Sequence, residues 1–117
     1  MATLDEIEKF LNDFFTKLSI WGIFVRDDRN KNAQTLLDLE ITPAERINII
    51  KKLGAIDYSE GPRPETLLKG SDMWVFGKKV KEREIYIKIT MGHAGSKVIC
   101  ISFHIAEHRM KYPHKKQ

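Results

Sequence analysis

The feature that most constrains the fold is an alternation of apolar and polar residues over positions 84–91. This period of two indicates a β-strand with one buried face and one polar face. The residues expected on the buried face are Ile85, Ile87, Ile89 and Met91, and those expected on the polar face are Tyr86, Lys88 and Thr90. Such a strand needs paired neighbours and a covering layer, so the surrounding sequence decides the fold class.

Two further segments predict strands that flank this one in the chain. Positions 73–80 and 97–104 are rich in β-branched and aromatic residues, and short connections at 81–83 and 92–95 join them to the central segment. In the third strand, the residues expected on the buried face are Ile99, Ile101 and Phe103, and those expected opposite are Cys100, Ser102 and His104. The second half of the chain thus predicts an antiparallel sheet.

The first half of the chain has the pattern of helices. Residues 3–6 (TLDE) form a capping box, and an apolar stripe at spacings of three and four continues as far as Leu18. Residues 42–45 (TPAE) form a second box with proline at the first helical position, and Gly54 suits the end of that helix. A short helix over 33–39 is also predicted.

The remaining segments predict short connections. Positions 20–25 are apolar and favour a short strand, whereas 26–32 is a polar turn. Positions 59–64 (SEGPRP) contain glycine and proline and are predicted to form a loop within one domain. Trp74 and Phe76 are predicted to be core residues, with stacking on nucleic-acid bases as the alternative.

These elements predict one α+β domain over 1–117, with N-terminal helices packed on one face of a curved antiparallel β-sheet. One hydrophobic core is the default at 117 residues. No apolar run approaches the roughly 20 residues of a membrane span, so we expect neither a span nor a secretory signal. Cys100 is the only cysteine, which excludes an internal disulfide and favours a cytoplasmic location.

Charge is divided unevenly along the chain. Positions 1–66 hold 9 Lys and Arg against 12 Asp and Glu, whereas positions 67–117 hold 11 against 4. A basic half of this kind suggests a polyanionic partner such as a nucleic acid. A soluble domain with an uneven surface accounts for the same charges, so charge alone leaves both interpretations open.

Chemically reactive side chains converge on the polar face of the predicted sheet. Tyr86 and Lys88 lie on one strand, and Ser102 and His104 lie on its neighbour. Rigid strands would then hold a phenol, an ammonium group, a hydroxyl and an imidazole within reach of one another, which suits an anionic substrate. The alternative is an ordinary solvent-facing surface, on which such residues are common.

The order and spacing of these motifs resemble a known toxin family. The motifs are Met73-Trp74, Val80, 84–89 (EIYIKI) and 98–103 (VICISF), with 25–26, 36–39, 47–53 and 57–58 in register upstream. In this respect the chain resembles toxins of the motility quorum-sensing regulator (MqsR) family, a branch of the RelE-like bacterial mRNA interferases. The resemblance covers about residues 24 to 104.

The resemblance implies a RelE-like toxin fold and the toxin of a type II toxin–antitoxin system. Such a toxin is a sequence-selective endoribonuclease that cleaves mRNA and arrests translation and growth. Its cognate antitoxin is a zinc-containing DNA-binding protein, so contact with DNA would be indirect. Tyr86 matches an active-site tyrosine, Lys88 matches the adjacent lysine, and His104 falls where the family has a functional lysine. Ser59 and Val75 replace a basic residue and a glutamine, departures that concern the cleavage chemistry rather than the fold.

The reaction expected for such an enzyme uses the 2′-hydroxyl of RNA as nucleophile and needs no metal or other cofactor. It requires a general base, a general acid and cations at the phosphate, and it yields a 2′,3′-cyclic phosphate and a 5′-hydroxyl. His104 is the expected acid or base because imidazole titrates nearest neutrality. Tyr86 would orient the 2′-hydroxyl, donate a hydrogen bond or stack on a base, and Lys88 would stabilise transition-state charge. The residues expected to bind RNA are Ser102, Arg109, Lys111, Tyr112, Lys115 and Lys116.

Other functions stay open at this point. A non-catalytic module can dock RNA or a protein on the same basic face, and RelE-like folds include a gyrase poison that does not cut RNA. His104 and His108 have a spacing that could ligate zinc on a helix, although Glu107 and His114 supply no convincing third ligand. Glu107 can instead pair with a lysine or act as a base. Cys100 has no evident activating partner in the sequence.

Overall fold

Three helices cover one face of a five-stranded sheet in the computed structural model, which describes residues 1–64 and 70–115. The elements in chain order are α1 (Leu4–Trp21), β1 (Ile23–Val25), α2 (Asn30–Leu39), α3 (Pro43–Lys51), a 3₁₀ turn (Ala55–Asp57), β2 (Tyr58–Arg63), β3 (Met73–Val80), β4 (Arg83–Thr90) and β5 (Val98–Ile105). The strand order is β1-β5-β4-β3-β2, with β1 parallel to β5 and the other pairs antiparallel. The predicted α+β class is confirmed. Within the described ranges, no helix is both long and apolar enough to cross a membrane.

Helix α1 packs an apolar face against the sheet. The predicted capping box is present, because the Thr3 hydroxyl accepts from the Glu6 amide at 3.2 Å and the Glu6 carboxylate accepts from the Thr3 amide at 2.9 Å. The buried residues of the helix are Ile7, Phe10, Leu11, Phe14 and Leu18. The Phe10 ring stacks on Trp74 with centroids 4.5 Å apart, which confirms the predicted core position of Trp74. The helix continues to Trp21, so the strand predicted next is shortened to β1.

The other two helices differ from the predicted ones at their ends. Helix α2 begins inside the segment predicted to be a polar turn, where the buried Asn32 side chain donates to the Arg26 carbonyl at 2.8 Å. Helix α3 starts at the predicted capping box but ends at Lys51. Gly54 begins the 3₁₀ turn instead of ending the helix, and its amide donates to Asp57 at 2.9 Å. Helix α2 therefore begins earlier than predicted, and helix α3 ends before Gly54.

Strand β5 contains a bulge that changes which residues face the helices. The pairs between β4 and β5 are Ile85–Ile105, Tyr86–His104, Ile87–Phe103, Lys88–Ser102, Ile89–Cys100 and Thr90–Ile99. Ile101 is thus an extra residue, and the residues before it turn to the face opposite to that given by simple alternation. The predicted place of Cys100 on the polar face is wrong, because its thiol is fully buried in the core. Ile99, predicted on the buried face, pairs with Thr90 on the polar face.

The side chain of Asn32 supports this bulge. Strand β1, the neighbour of β5 on one side, ends at Val25, so its pairing with β5 stops at Cys100. The buried Asn32 carboxamide replaces that neighbour, donating to the Ile101 carbonyl at 2.9 Å and accepting from the Phe103 amide at 3.0 Å. The Ile101 carbonyl and the Phe103 amide, which lie beyond the end of the pairing with β1, are therefore hydrogen-bonded.

The segment predicted to be a loop before the sheet is an edge strand. Strand β2 spans Tyr58–Arg63 and pairs with β3, with two interruptions in register. Proline and glycine predicted a loop, but an edge strand pairs on one side only and therefore tolerates a residue without an N–H. Because Glu60 pairs with Val75, which in turn pairs with Lys88, Glu60 lies on the polar face of the sheet.

Candidate functional site

Two rows of residues cross the face of the sheet opposite the helices. The first row comprises Glu60, Val75, Lys88 and Ser102, and the second comprises Gly77, Tyr86 and His104. Neighbouring strands lie roughly 4.8 Å apart, so side chains of adjacent members are within reach of one another. The structure thus brings together the four residues that the sequence predicted to converge. Val75, one of the two departures from the family pattern, lies beside Lys88 and is buried.

A cavity of about 630 Å³ opens over these rows. We call it the sheet cavity. Its lining residues are Arg29, Ser59, Glu60, Tyr86, Lys88, Ser102, His104, Glu107, His108, Arg109, Met110 and Lys111. Its size falls within the range of about 300–1,000 Å³ that ligand pockets occupy. Among the described residues, its lining holds four Lys and Arg residues against two Glu residues, a balance that favours an anion.

His104 and Tyr86 form a stacked pair in the sheet cavity. Their ring centroids are 5.2 Å apart and their planes differ by 13°. Nδ1 of His104 lies 3.0 Å from the carbonyl oxygen of Ile105. A carbonyl can only accept, so this bond places the proton of the neutral ring on Nδ1. Nε2 then carries the lone pair that a general base requires.

Tyr86 is held as a neutral phenol. Burial raises its pKa above the ordinary value of 10.0, the charge of Glu60 raises it further, and Arg63 opposes this. A raised pKa favours the protonated form, so at neutral pH the hydroxyl can donate a hydrogen bond but cannot act as a base. His104 covers one face of the ring, and Nζ of Lys88 lies 6.0 Å from its centroid. Of the roles predicted for Tyr86, hydrogen-bond donation therefore fits this geometry best.

Glu107 is paired with a lysine, which is one of the two roles predicted for it. Both of its carboxylate oxygens lie 2.8 Å from Nζ of Lys31. The bond to Lys31 lowers the pKa of Glu107, and the nearby His104 and His108 act in the same direction. A carboxylate with a lowered pKa is a poor base, so the alternative role as general base is not supported.

The chain after β5, which we call the tail (106–115), folds back across the sheet and forms one wall of the sheet cavity. Glu84 holds the tail, because one carboxylate oxygen accepts from the Met110 amide at 3.2 Å and the other from the Tyr112 hydroxyl at 2.7 Å. The Tyr112 ring occupies the space where a side chain at Gly77 would lie. Lys111 lies between these two anchors and Arg109 directly precedes them, so both basic residues are held beside the cavity.

A second cavity of about 880 Å³ adjoins the first, and we call it the edge cavity. The two cavities share Ser59, Glu60, Arg109, Met110 and Lys111. The other lining residues of the edge cavity are Met1, Tyr58, Gly61, Pro62, Arg63, Glu84, Tyr112 and Pro113. Because they share these lining residues, the two cavities adjoin one another, and we call them together the groove.

The residues predicted to bind RNA fall in different places. Ser102, Arg109 and Lys111 line the sheet cavity, whereas Tyr112 lines only the edge cavity. The Tyr112 hydroxyl is already bound to Glu84, and burial together with that bond raises its pKa. Lys115 lines neither cavity and lies 5.6 Å from the Tyr112 ring. Lys116 lies outside the described residues.

Sequence reasoning missed several residues of this groove. Arg29 belongs to a segment predicted to be a solvated turn, and Glu60 to a segment predicted to be a loop. Met110 enters the wall because of its backbone bond to Glu84, which no local pattern signals. An excess of Lys and Arg in the second half was the only signal for a cationic groove, and it did not include Arg29.

The predicted zinc alternative rested on a helix that is absent here. His104 lies in β5, and His108 lies in the irregular tail. His114 donates from Nε2 to the Ala2 carbonyl at 2.8 Å, which occupies that nitrogen. Among residues 1–64 and 70–115, no group of three or more His, Cys, Asp or Glu side chains is placed to hold a metal ion.

Cys100 should be unreactive in the folded protein. Burial raises the pKa of its thiol from 9.0 to about 12, so very little thiolate is present at pH 8. We expect modification by an aromatic disulfide reagent to be at least about 100-fold slower in native protein than in denaturant. Since the folded-state pKa is raised, this thiol should also lower the free energy of unfolding as the pH rises through 9. Native modification at the denatured rate would contradict the buried position.

The fold and groove thus define an α+β protein with a cationic cavity built around a tyrosine–histidine pair. No protein-family model, curated protein or solved structure matches the chain. The chemistry of the groove is therefore the basis for the function proposed next.

Proposed function

We propose that the protein is a metal-independent endoribonuclease that cleaves mRNA through attack of the 2′-hydroxyl. The observation that carries this proposal is the stacked Tyr86–His104 pair, with Nε2 of His104 available as a base, inside a cavity lined by cations. RNA supplies the nucleophile itself and carries negative charge, so the protein must supply a base and cations. The sheet cavity holds both. The resemblance to MqsR-family toxins supports the same class of reaction.

The reaction proceeds by transfer of two protons. Nε2 of His104 removes the proton from the 2′-hydroxyl, and the resulting oxygen attacks the adjacent phosphorus. Lys88 and the neutral Tyr86 hydroxyl stabilise the added negative charge on the phosphate oxygens. The bond to the 5′-oxygen then breaks, and that oxygen takes a proton from a ring nitrogen of His108, which lines the same cavity. The products are a 2′,3′-cyclic phosphate and a 5′-hydroxyl.

The cations around this centre bind the backbone of the RNA. Arg29 lies at the start of α2, and Arg109 and Lys111 lie on the tail, so they approach the groove from two elements. Contacts of this kind are electrostatic and weaken as salt is raised. Their arrangement favours a single strand threaded along the joined cavities.

In the cell, we propose, this activity is that of a type II toxin. The toxin would act in the cytoplasm on mRNA, arrest translation and growth, and be neutralised by a cognate antitoxin. The family resemblance suggests that this antitoxin is a zinc-containing DNA-binding protein, through which DNA would be contacted only indirectly. These assignments rest on the resemblance and on the cationic groove.

The test uses purified protein, a long unstructured RNA and EDTA, with both ends of every fragment mapped. We expect discrete cuts that leave 2′,3′-cyclic phosphates and 5′-hydroxyls. If naked RNA stays intact, the assay is repeated on translating ribosomes, where cuts with the same termini would support a ribosome-dependent form of the enzyme. Intact RNA in both assays, with salt-sensitive binding, would overturn the proposal in favour of a docking module.

A further inference from the structure

Among the described residues, three acidic side chains line the groove, and they differ in how many of their carboxylate oxygens accept hydrogen bonds. Both oxygens of Glu84 accept from the tail, and both oxygens of Glu107 accept from Lys31. In Glu60, Oε2 accepts from Arg63 at 2.7 Å. Oε1 of Glu60 accepts no hydrogen bond within the part of the chain that the structure describes. Of these three, Glu60 is therefore the one with a carboxylate oxygen that accepts no hydrogen bond from the described residues.

Glu60 also has a distinctive position. It belongs to the wall that the sheet cavity and the edge cavity share. Strand register places it in one row with Val75 and Lys88. The charge of Glu60 also acts on Tyr86 in the neighbouring row, where it raises the pKa of the phenol. A nucleotide next to the reacting phosphate would pass this carboxylate as it enters the edge cavity.

A carboxylate beside an RNA strand repels the phosphates, so it weakens binding unless it accepts a hydrogen bond from the ligand. The bases of RNA differ in what they can donate. Adenine, cytosine and guanine carry an exocyclic amino group, which donates to a carboxylate. Uracil carries a single N–H between two carbonyl oxygens, and these oxygens repel a carboxylate.

We propose that Glu60 is a base-selecting residue that favours an amino-bearing base beside the cleaved bond and rejects uracil. The inference rests on the proposed function for its substrate class, a single strand of RNA. The edge cavity has the room for such a base, at about 880 Å³. Pro62 and Met110 supply apolar surface there, against which a base can lie while its edge meets Glu60.

The experiment measures binding without cleavage. Hexamers of 2′-O-methylcytidine and 2′-O-methyluridine have no free 2′-hydroxyl, so they cannot be cut, and they compete for the protein against a fluorescent oligonucleotide. We expect the cytidine hexamer to bind about tenfold more tightly than the uridine hexamer, since one good hydrogen bond to a charged group has that effect. In Glu60→Gln the ratio should fall to within about twofold, because the amide can donate to a uracil carbonyl.

Glu107→Gln is the matched control, because it makes the same change at an acid of the same groove whose oxygens are bound to Lys31. It should keep the tenfold ratio. An equal affinity for the two hexamers in the native protein, no binding of either, or an unchanged ratio in Glu60→Gln would each overturn the inference. Selective hexamer binding beside RNA that is never cut would uphold it while overturning the proposed ribonuclease. Cleavage of RNA without base selection by Glu60 would uphold the proposed ribonuclease and overturn the inference about Glu60.

Discussion

Replacing His104 with alanine should slow RNA cleavage by about 10²–10⁴-fold, the usual contribution of a positioned general base. The bond from Nδ1 of His104 to the Ile105 carbonyl leaves Nε2 to accept the proton of the 2′-hydroxyl. Alanine has no such acceptor, whereas Lys88 and the tail cations remain to bind the strand. Single-turnover rates at saturating protein should therefore fall sharply, with a much smaller change in RNA affinity.

Two further variants separate proton transfer from packing. Tyr86→Phe keeps a ring stacked on His104 and removes only the hydroxyl, so we expect a smaller loss of about tenfold. His93, in the loop between β4 and β5, is exposed and lines neither cavity, so His93→Ala should cleave at the native rate. If His104→Ala matches His93→Ala while remaining folded, His104 takes no part in the reaction.

The parts of this site that could be predicted are those that depend on local pattern. Alternation over 84–91 placed Tyr86 and Lys88 on one face because the pleat of a strand leaves no other choice once the isoleucines are buried. The capping boxes at Thr3 and Thr42 likewise fixed where two helices begin, since each box consists of residues three positions apart. Both signals lie within a few residues of the structure that they determine.

The β5 bulge shows where local pattern is insufficient. Alternation placed Cys100, Ser102 and His104 on one face, and the structure keeps only the last two there. An extra residue at Ile101 turns the first part of the strand over, and the carboxamide of Asn32 supports that turn from another element. The face of Ser102 and His104 was predicted correctly because both residues lie after the bulge. The cysteine was predicted wrongly because it lies before it.

The rest of the groove depends on contacts between distant segments. Glu60 enters it because an edge strand pairs with β3 in spite of its proline and glycine. Arg109 and Lys111 enter it because Glu84 holds the tail against the sheet. Composition indicated that the second half is basic, but it could not show which cations face the same cavity. Arg29, which comes from the acidic half of the chain, completes the cationic lining of the sheet cavity.

Replacing Gly77 with alanine should release the Tyr112 part of the tail from the sheet and weaken RNA binding by about tenfold. A Cβ at this position would overlap the Tyr112 ring, which must then leave its place and its 2.7 Å bond to Glu84. Hydrogen bonds to charged groups contribute about 1.5–3 kcal/mol, so this loss is large for a short segment. Gly77 has no positive φ, and alanine is therefore compatible with the strand itself.

Two measurements test this prediction: the rate at which trypsin cleaves the tail, and the salt dependence of RNA affinity. Cleavage after Arg109 or Lys111, detected by mass spectrometry, should be rapid in Gly77→Ala and slow in the native protein, because a detached tail is accessible. RNA affinity measured at several salt concentrations should also fall less steeply with salt. Each lost contact to a phosphate of a single strand reduces the slope by about 0.7. Unchanged proteolysis and an unchanged slope would mean that this contact does not hold the tail.

A double-mutant cycle shows whether the tail or the strand is responsible. Tyr112→Ala removes the ring that the new Cβ would strike, so adding Gly77→Ala to it should cause little further loss of stability or RNA affinity. The two substitutions would then be strongly non-additive, as expected for residues that act through one contact. Additive losses would instead locate the effect in β3 itself. The same contact positions Arg109 and Lys111. Non-additive losses of RNA affinity as well as of stability would therefore show that Gly77 affects RNA binding through the position of these two cations.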